Sequence, residues 1–135
     1  MISDRKNAPL LNWEDLRSYF LTIGSGNFNL SHLTLDYQAK LHPEKTAYIC
    51  IDSDLKNKTY SYHYLKTHSN QFAHLLSSLN IKKGDRVFIY MPRIIESVIA
   101  LTGIVKTGAV AGTLFSAFEE KALLDRLLDS QAKIV

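Results

Sequence analysis

The sequence contains a single cysteine, Cys50, and only three prolines and six glycines in 135 residues. One cysteine excludes an internal disulfide, and its place in the apolar run TAYICID predicts a buried, unreactive thiol. No apolar run approaches the roughly 18 residues that a membrane-spanning helix requires. The segment 1–16 is charged and lacks the apolar region of a secretory signal. The sequence therefore predicts a cytoplasmic protein with no membrane partner.

A strong charge of one sign is also missing. The 16 basic and 13 acidic residues give a net charge of +3, and the basic residues are scattered, with no run longer than Lys82-Lys83. Such a distribution does not form the basic stripe of a nucleic-acid-binding protein, so no nucleic-acid partner is predicted. With 46% hydrophobic and 21% charged residues, the composition is that of an ordinary globular protein.

The common catalytic and metal-binding signatures are absent too. There is no GK[ST] phosphate loop, no nucleophile elbow and no Cys-His pair. GSGN at 24–27 lacks a preceding strand and a third glycine, so it predicts a loop. Asp52-Ser53-Asp54 begins like a calcium loop, but Asn57 and His63 stand where glycine and glutamate are needed. His63 and His74 would lie about 16 Å apart along a helix and cannot share a metal ion.

Residues 85–135 form the most regular part of the chain, because strand-like and helix-like segments alternate there. The predicted elements are the strand Val87–Met91, the helix Ile94–Thr107, the strand Ala109–Leu114, the helix Glu119–Asp129 and the start of a strand at Ala132–Val135. This alternation predicts βαβ units and therefore an α/β fold with a parallel sheet and covering helices. Since the last apolar segment has no polar end, we expect the N-terminal piece of a larger enzyme.

Two short helices are predicted before residue 45. Asn12 is a candidate N-cap for a helix with apolar residues at helical spacing (Trp13, Leu16, Tyr19 and Phe20). Either Asn29 or Ser31 can cap the second helix, which carries Leu33, Leu35, Tyr37 and Leu41 and ends before Pro43.

A β-hairpin and a long helix are predicted between these segments. Strands Ala47–Asp52 and Lys58–Tyr62 flank the polar turn DSDLKNK. The helix Tyr62–Leu79 has Ser61 as its natural N-cap. Its apolar positions, together with Ser69, predict one buried stripe: Tyr62, Leu65, Phe72, Leu76 and Leu79.

Arg93 follows a strand end and a proline, at the carboxyl edge of the predicted parallel sheet. Ligand sites of α/β proteins lie at that edge, so Arg93 is a candidate contact for a phosphate or a carboxylate. The alternative is a surface or interdomain salt bridge. Gly103, inside the apolar helix, is expected to permit close packing on the sheet. Asp125 and Arg126 are expected to be surface charges.

Several segments in a fixed order resemble the acyl-CoA synthetases that form an acyl-adenylate from ATP, above all the acetyl- and medium-chain-type enzymes. The matching strings are NFNLSHLTLDYQAK, TYSYHYLKTHSNQFAHLL, KKGDRVFIYMPRIIE, GIVKTGAVAGTLFSAF and DRLLDSQAKIV, which span roughly residues 27–135. No single string is diagnostic, but their order and spacing are hard to imitate. One departure is Tyr64, where relatives usually carry an acid.

The resemblance implies a large N-terminal adenylation domain and a small mobile C-terminal domain. It implies the reaction of a small-molecule carboxylate, ATP and CoA to acyl-CoA, AMP and pyrophosphate, with magnesium. Residues 1–45 would then be an N-terminal helical extension and 46–135 the truncated N-terminal part of the adenylation domain. The family's phosphate loop and catalytic lysine match no position here, so no catalytic, cofactor-binding or metal residue is assigned. The chain alone is predicted to be inactive and to bind no cofactor tightly.

The resemblance also implies that LFSAF, at 114–118, faces the acyl or pantetheine side of the whole enzyme. Phe115 and Phe118 would then line a ligand route; the alternative is that both rings belong to the core. Helix Ile94–Thr107 is apolar on opposite sides and the strand at Ala132 has no successor, so the chain is expected to self-associate as a dimer. The alternative function is a stand-alone, non-catalytic binding or assembly module derived from this fold.

Overall fold

The computed structural model describes residues 12–23 and 28–135. The helices are α1 (Trp13–Ile23), α2 (Tyr37–Leu41, preceded by a π-helical turn His32–Asp36), α3 (Tyr62–Ser78), α4 (Ile95–Thr107) and α5 (Glu120–Ser130). The strands are β1 (Thr46–Ile51), β2 (Asn57–Ser61), β3 (Arg86–Tyr90) and β4 (Val110–Leu114). This order confirms the predicted α/β fold with a hairpin followed by a βαβ unit.

β3 and β4 form the parallel sheet, in register from Arg86 opposite Val110 to Tyr90 opposite Leu114. On the other side of β3, Val87 forms a parallel bridge with Ile134, where Phe88 N donates to Ile134 O at 2.9 Å. The strand predicted at 132–135 is therefore present as a single bridge, and β3 is central among the described residues.

β1 and β2 form a separate antiparallel hairpin, with Tyr48 opposite Tyr60. The carboxylate of Asp52 closes the turn, since its Oδ1 accepts from Asp54 N and Lys56 N, each at 2.9 Å. The hairpin is thus confirmed. Cys50 is half-buried rather than fully buried, because only one face of the two-stranded sheet is covered.

Helix α3 begins where the sequence predicts. Ser61 is extended (φ −79°, ψ 164°) and its Oγ accepts from Tyr64 N at 3.2 Å. Such a cap stabilises a helix by about 1 kcal/mol. Leu65, Ser69 and Leu76 are buried, but Leu79 is 56% exposed, so the predicted stripe is wrong at that position. The helix ends at Ser78, and the chain turns away before Leu79 can reach the core.

The main core lies between α3, α4 and the parallel sheet. Its buried residues are Leu76, Ile81, Val87, Ile89, Ala100, Ile104 and Ala109. Gly103 does permit a close approach, but to α3 and not to the sheet. A Cβ at Gly103 would lie 2.9 Å from both Phe72 Cδ1 and Ser69 O.

A half-buried polar cluster joins the segment before β1 to this core. Lys106 Nζ donates to Asp36 Oδ1 and to Asn70 Oδ1, each at 2.6 Å. The side chains of Lys106 and Asp36 are only 10% and 17% exposed. The cluster therefore links α4 to the π-helical turn and to α3.

The helix caps predicted before residue 45 are partly confirmed. Asn12 Oδ1 accepts from Glu14 N at 3.1 Å, as expected for α1. Asn29, not Ser31, caps the second helix: its Oδ1 accepts from His32 N at 3.2 Å, while its Nδ2 donates to Val105 O at 2.8 Å. Ser31 is instead buried. The loop predicted at 24–27 lies outside the described residues.

The turn before β3 is built on a glycine and a carboxylate. Gly84 has φ +87°, which a side chain would disfavour. Asp85 Oδ2 accepts from Lys133 Nζ at 2.9 Å and from Lys82 N at 2.8 Å. The hydrogen bond from Lys133, followed by that from Lys82, holds the pKa of Asp85 below its usual range.

Candidate functional site

The carboxyl ends of β3 and β4 meet at one edge of the parallel sheet, and a cavity of about 410 Å³ opens there. Its lining comes from the last two residues of β4 and from the segments that follow the two strands: Met91, Arg93, Thr113, Leu114, Phe115 and Ser116. Ligand sites of α/β proteins lie at this edge because the strand ends and helix starts converge on it. Two of the residues singled out from the sequence, Arg93 and Phe115, line this one cavity.

Arg93 is exposed and also lines a second cavity of about 350 Å³, between the hairpin and the start of α4. Lys56, Lys58, Asp52 and Glu96 add charges of both signs to that wall. Among the described residues, neither a hydrogen bond nor an ion pair is made by the Arg93 guanidinium. The guanidinium is therefore free, within this part of the chain, to meet an anion.

Lys58 lies in the wall of the second cavity. A hydrogen-bonding contact with the Tyr60 phenol oxygen is the largest cause that raises the pKa of Lys58 above its usual value, with smaller contributions from Tyr64 and Glu96. Its ammonium lies 5.2 Å from the centre of the Tyr60 ring. The wall of the second cavity thus carries Lys58 as a cation in addition to Arg93.

Phe115 and Phe118 lie in the turn after β4. Phe115 is 62% exposed within this chain, and for the whole enzyme the ligand-route and core interpretations of the two rings both stay predictions. Its ring meets the half-buried ring of Phe118 edge to face, with centroids 5.9 Å apart. The Arg126 guanidinium carbon lies 4.1 Å from the centre of the Phe118 ring. Arg126 is exposed as expected, but it also holds Phe118 in place.

Sequence reasoning missed Tyr90, the last residue of β3. Its hydroxyl donates to Ser116 O at 3.1 Å and to Phe118 O at 3.0 Å. A signal was available, since tyrosine combines an apolar ring with a polar tip and suits a strand end at a wet edge. The partners, however, are main-chain carbonyls whose nearness no sequence pattern reveals.

The residues lining the carboxyl-edge cavity can bind and orient a ligand through one cation, one aromatic ring and the hydroxyls of Thr113 and Ser116. Across residues 12–23 and 28–135, no group of three or more His, Cys, Asp or Glu side chains is placed to hold a metal ion. The helices of the same residues are all too short or too polar to cross a bilayer.

The family profile described as AMP-binding enzyme matches residues 35–135. Acetyl-coenzyme A synthetase of Pasteurella multocida is 38% identical over 136 residues, covering 99% of this chain and 19% of that relative. The enzyme of the same name from Thiobacillus denitrificans is 36% identical over 132 residues, with 98% and 19% covered. That of Bacillus subtilis is 34% identical over 125 residues, with 92% and 22% covered.

The chain therefore spans about a fifth of the length of the curated relatives it matches, at 19% to 22%. The profile match begins at Leu35 and runs through the hairpin and the parallel sheet to Val135. It includes the parallel strands, the helix between them and the turn that carries Phe115. Because the match takes in most of the chain, this chain belongs to the AMP-binding enzyme family.

Proposed function

We propose that these 135 residues are the N-terminal part of an AMP-forming acyl-CoA synthetase, with acetate as the acid it activates. The whole enzyme would convert carboxylate, ATP and CoA to acyl-CoA, AMP and pyrophosphate through an acyl-adenylate. The observation that carries the proposal is the similarity to acetyl-coenzyme A synthetases over 98% and 99% of the chain. The βαβ unit with a cavity at its carboxyl edge supports it.

ATP and CoA are proposed as reactants of the whole enzyme, in the cytoplasm, where both are available. Among the described residues, no three or more His, Cys, Asp or Glu side chains are gathered where they could hold a metal ion. We propose that magnesium and the catalytic groups belong to parts of the enzyme outside this chain. The contribution of this chain would be to shape one wall of the ligand route.

Three side chains are proposed to border that route. Arg93 would contact an anionic group, since it is exposed and is unpaired among the described residues. Phe115 would offer its exposed ring to an apolar or pantetheine segment, and Phe118 would support it from behind. No nucleophile and base are paired in the cavity lining, so the proposed role is binding and orientation.

The isolated chain is expected to show no acetate-dependent exchange of pyrophosphate into ATP. Phosphoryl chemistry needs a phosphate-cradling loop and charge-neutralising groups, and the sequence of this chain has no GK[ST] loop. The whole enzyme, made from the complete gene, should catalyse the exchange. Exchange above background by the pure chain would contradict the assignment of catalysis to other segments. A complete gene without an adenylation loop would favour the stand-alone module.

We propose, in addition, that the isolated chain self-associates. Ile94, which precedes α4, and Leu101 of α4 are exposed, and Ile134 has a strand partner only on the Val87 side among the described residues. Exposed apolar surface and open strand edges are commonly covered by a second copy. Light scattering after size exclusion should give about twice the chain mass or more at micromolar concentration. A monomer at all concentrations, with a cooperative melt, would show that the chain completes its own fold.

A further inference from the structure

The turn that carries Phe115 is held from several directions. Phe118 N donates to Phe115 O at 3.0 Å and closes the turn. The Tyr90 hydroxyl donates to Ser116 O at 3.1 Å and to Phe118 O at 3.0 Å, as a three-centre bond. Arg126 lies over the Phe118 ring at 4.1 Å. The turn is therefore fixed to β3 by one hydroxyl and to α5 by one guanidinium.

The Tyr90 contact differs from a core contact because it depends on a single atom. Tyr90 is 38% exposed, and its ring is not among the residues of the main core. The hydroxyl reaches across 26 and 28 residues of sequence to two main-chain carbonyls. Removing the hydroxyl alone would remove the hydrogen bonds between β3 and the turn, leaving the Phe118 N–Phe115 O bond and the Arg126 contact in place.

We infer that Tyr90 is a positioning residue: its hydroxyl sets the place and the rigidity of the turn 115–118, and thereby of the exposed Phe115 ring. The inference rests on the proposed function, in which this turn borders the route of the carboxylate or of CoA. A ring that is held in place before binding loses less freedom when a ligand meets it. Tyr90 thus acts on ligand affinity through Phe115 without touching the reacting atoms.

The first test needs only the 135-residue chain. In Tyr90→Phe, the Phe118 amide keeps its acceptor, Phe115 O, but should exchange its hydrogen about fivefold faster, because the turn that holds this bond has lost its own hydrogen bond of ordinary net strength to Tyr90. The amides of β1 and β2 should be unchanged in the same NMR experiment. Tyr48→Phe is the control, since it removes a phenol from an exposed strand residue of the hairpin. An unchanged Phe118 amide in Tyr90→Phe, or faster exchange throughout the chain, would overturn the inference.

The second test uses the whole enzyme. Tyr90→Phe should raise one KM by roughly three- to tenfold and leave kcat within about twofold, as expected when ligand binding is weakened uniformly. The KM for the carboxylate is measured by pyrophosphate exchange without CoA, and the KM for CoA in the complete reaction. Phe115→Ala should raise the same KM, and Tyr48→Phe neither.

The outcomes separate the two proposals. A loosened turn with both KM values unchanged would overturn the role of Tyr90 in ligand affinity while leaving the enzyme assignment intact. A whole protein without exchange activity would refute the proposed function, and the hydrogen-exchange result would still decide whether Tyr90 fixes the turn.

Discussion

Replacing Lys106 with methionine is expected to lower the free energy of unfolding by about 3 kcal/mol, because it takes the ammonium from a carboxylate that is largely shielded from water and leaves it, among the described residues, only the contact with His32 Nδ1 at 3.4 Å. Asp36 Oδ1 and Asn70 Oδ1 each lose a donor at 2.6 Å, and the Asp36 side chain is only 17% exposed. Urea unfolding followed by circular dichroism measures the loss. The slope of the transition should stay constant if only stability changes.

Two variants define the origin of that loss. Lys56→Met removes an ammonium 3.5 Å from Asp54, in a pair whose Lys56 side chain is 77% exposed, and should cost no more than about 1 kcal/mol. Pairing Lys106→Met with Asp36→Leu should recover part of the stability, because no buried charge is then left alone. Equal losses for Lys106→Met and Lys56→Met would contradict a buried bridge.

Replacing Gly103 with alanine is expected to destabilise the protein by about 1–3 kcal/mol, the usual cost of overpacking. The added Cβ would lie 2.9 Å from Ser69 O, a main-chain atom that can move only with helix α3. The sign is decisive, since the same exchange inside an unobstructed helix stabilises it by about 0.5–1 kcal/mol. Thermal unfolding of the two proteins measures the sign directly.

A substitution at Phe72 separates the two contacts that the new methyl group would make. The other near atom is Phe72 Cδ1, also at 2.9 Å, and Phe72→Ala would remove it. In a Phe72→Ala background, Gly103→Ala should therefore cost less than in the unchanged chain but still destabilise it, because the Ser69 carbonyl remains. A more stable Gly103→Ala protein would show that α3 and α4 have room between them.

The sequence predicts the elements of this fold well where the signal is local. Ser61 caps α3 because a hydroxyl three residues before an amide can reach it, and the turn at Gly84 follows from residues that are neighbours in sequence. The βαβ unit follows from apolar strands on either side of an apolar helix. These features need no knowledge of the rest of the chain.

The candidate site is predicted only in part. Arg93 and Phe115 are found because each follows a strand, and parallel strands end at one edge. The sequence does not predict the role of Tyr90 at the site. It also misses the cluster of Asp36, Asn70 and Lys106, which lies outside the site. In both cases the contacts join residues 26 to 70 positions apart. Gly103 is predicted in part: a glycine inside an apolar helix indicates a close approach, but the sequence does not show that the neighbouring element is α3.

The sequence of strand β1 bears on whether newly made copies of the chain aggregate. TAYICI is a six-residue segment without charge, proline or glycine, and Ile49 and Ile51 remain exposed even after folding. Such segments are typical nuclei of cross-β stacking when they meet copies of themselves. Lys45 precedes the strand and Asp52 follows it, as charged gatekeepers do. Asp52 closes the hairpin turn, and we expect its charge also to oppose stacking of the strand.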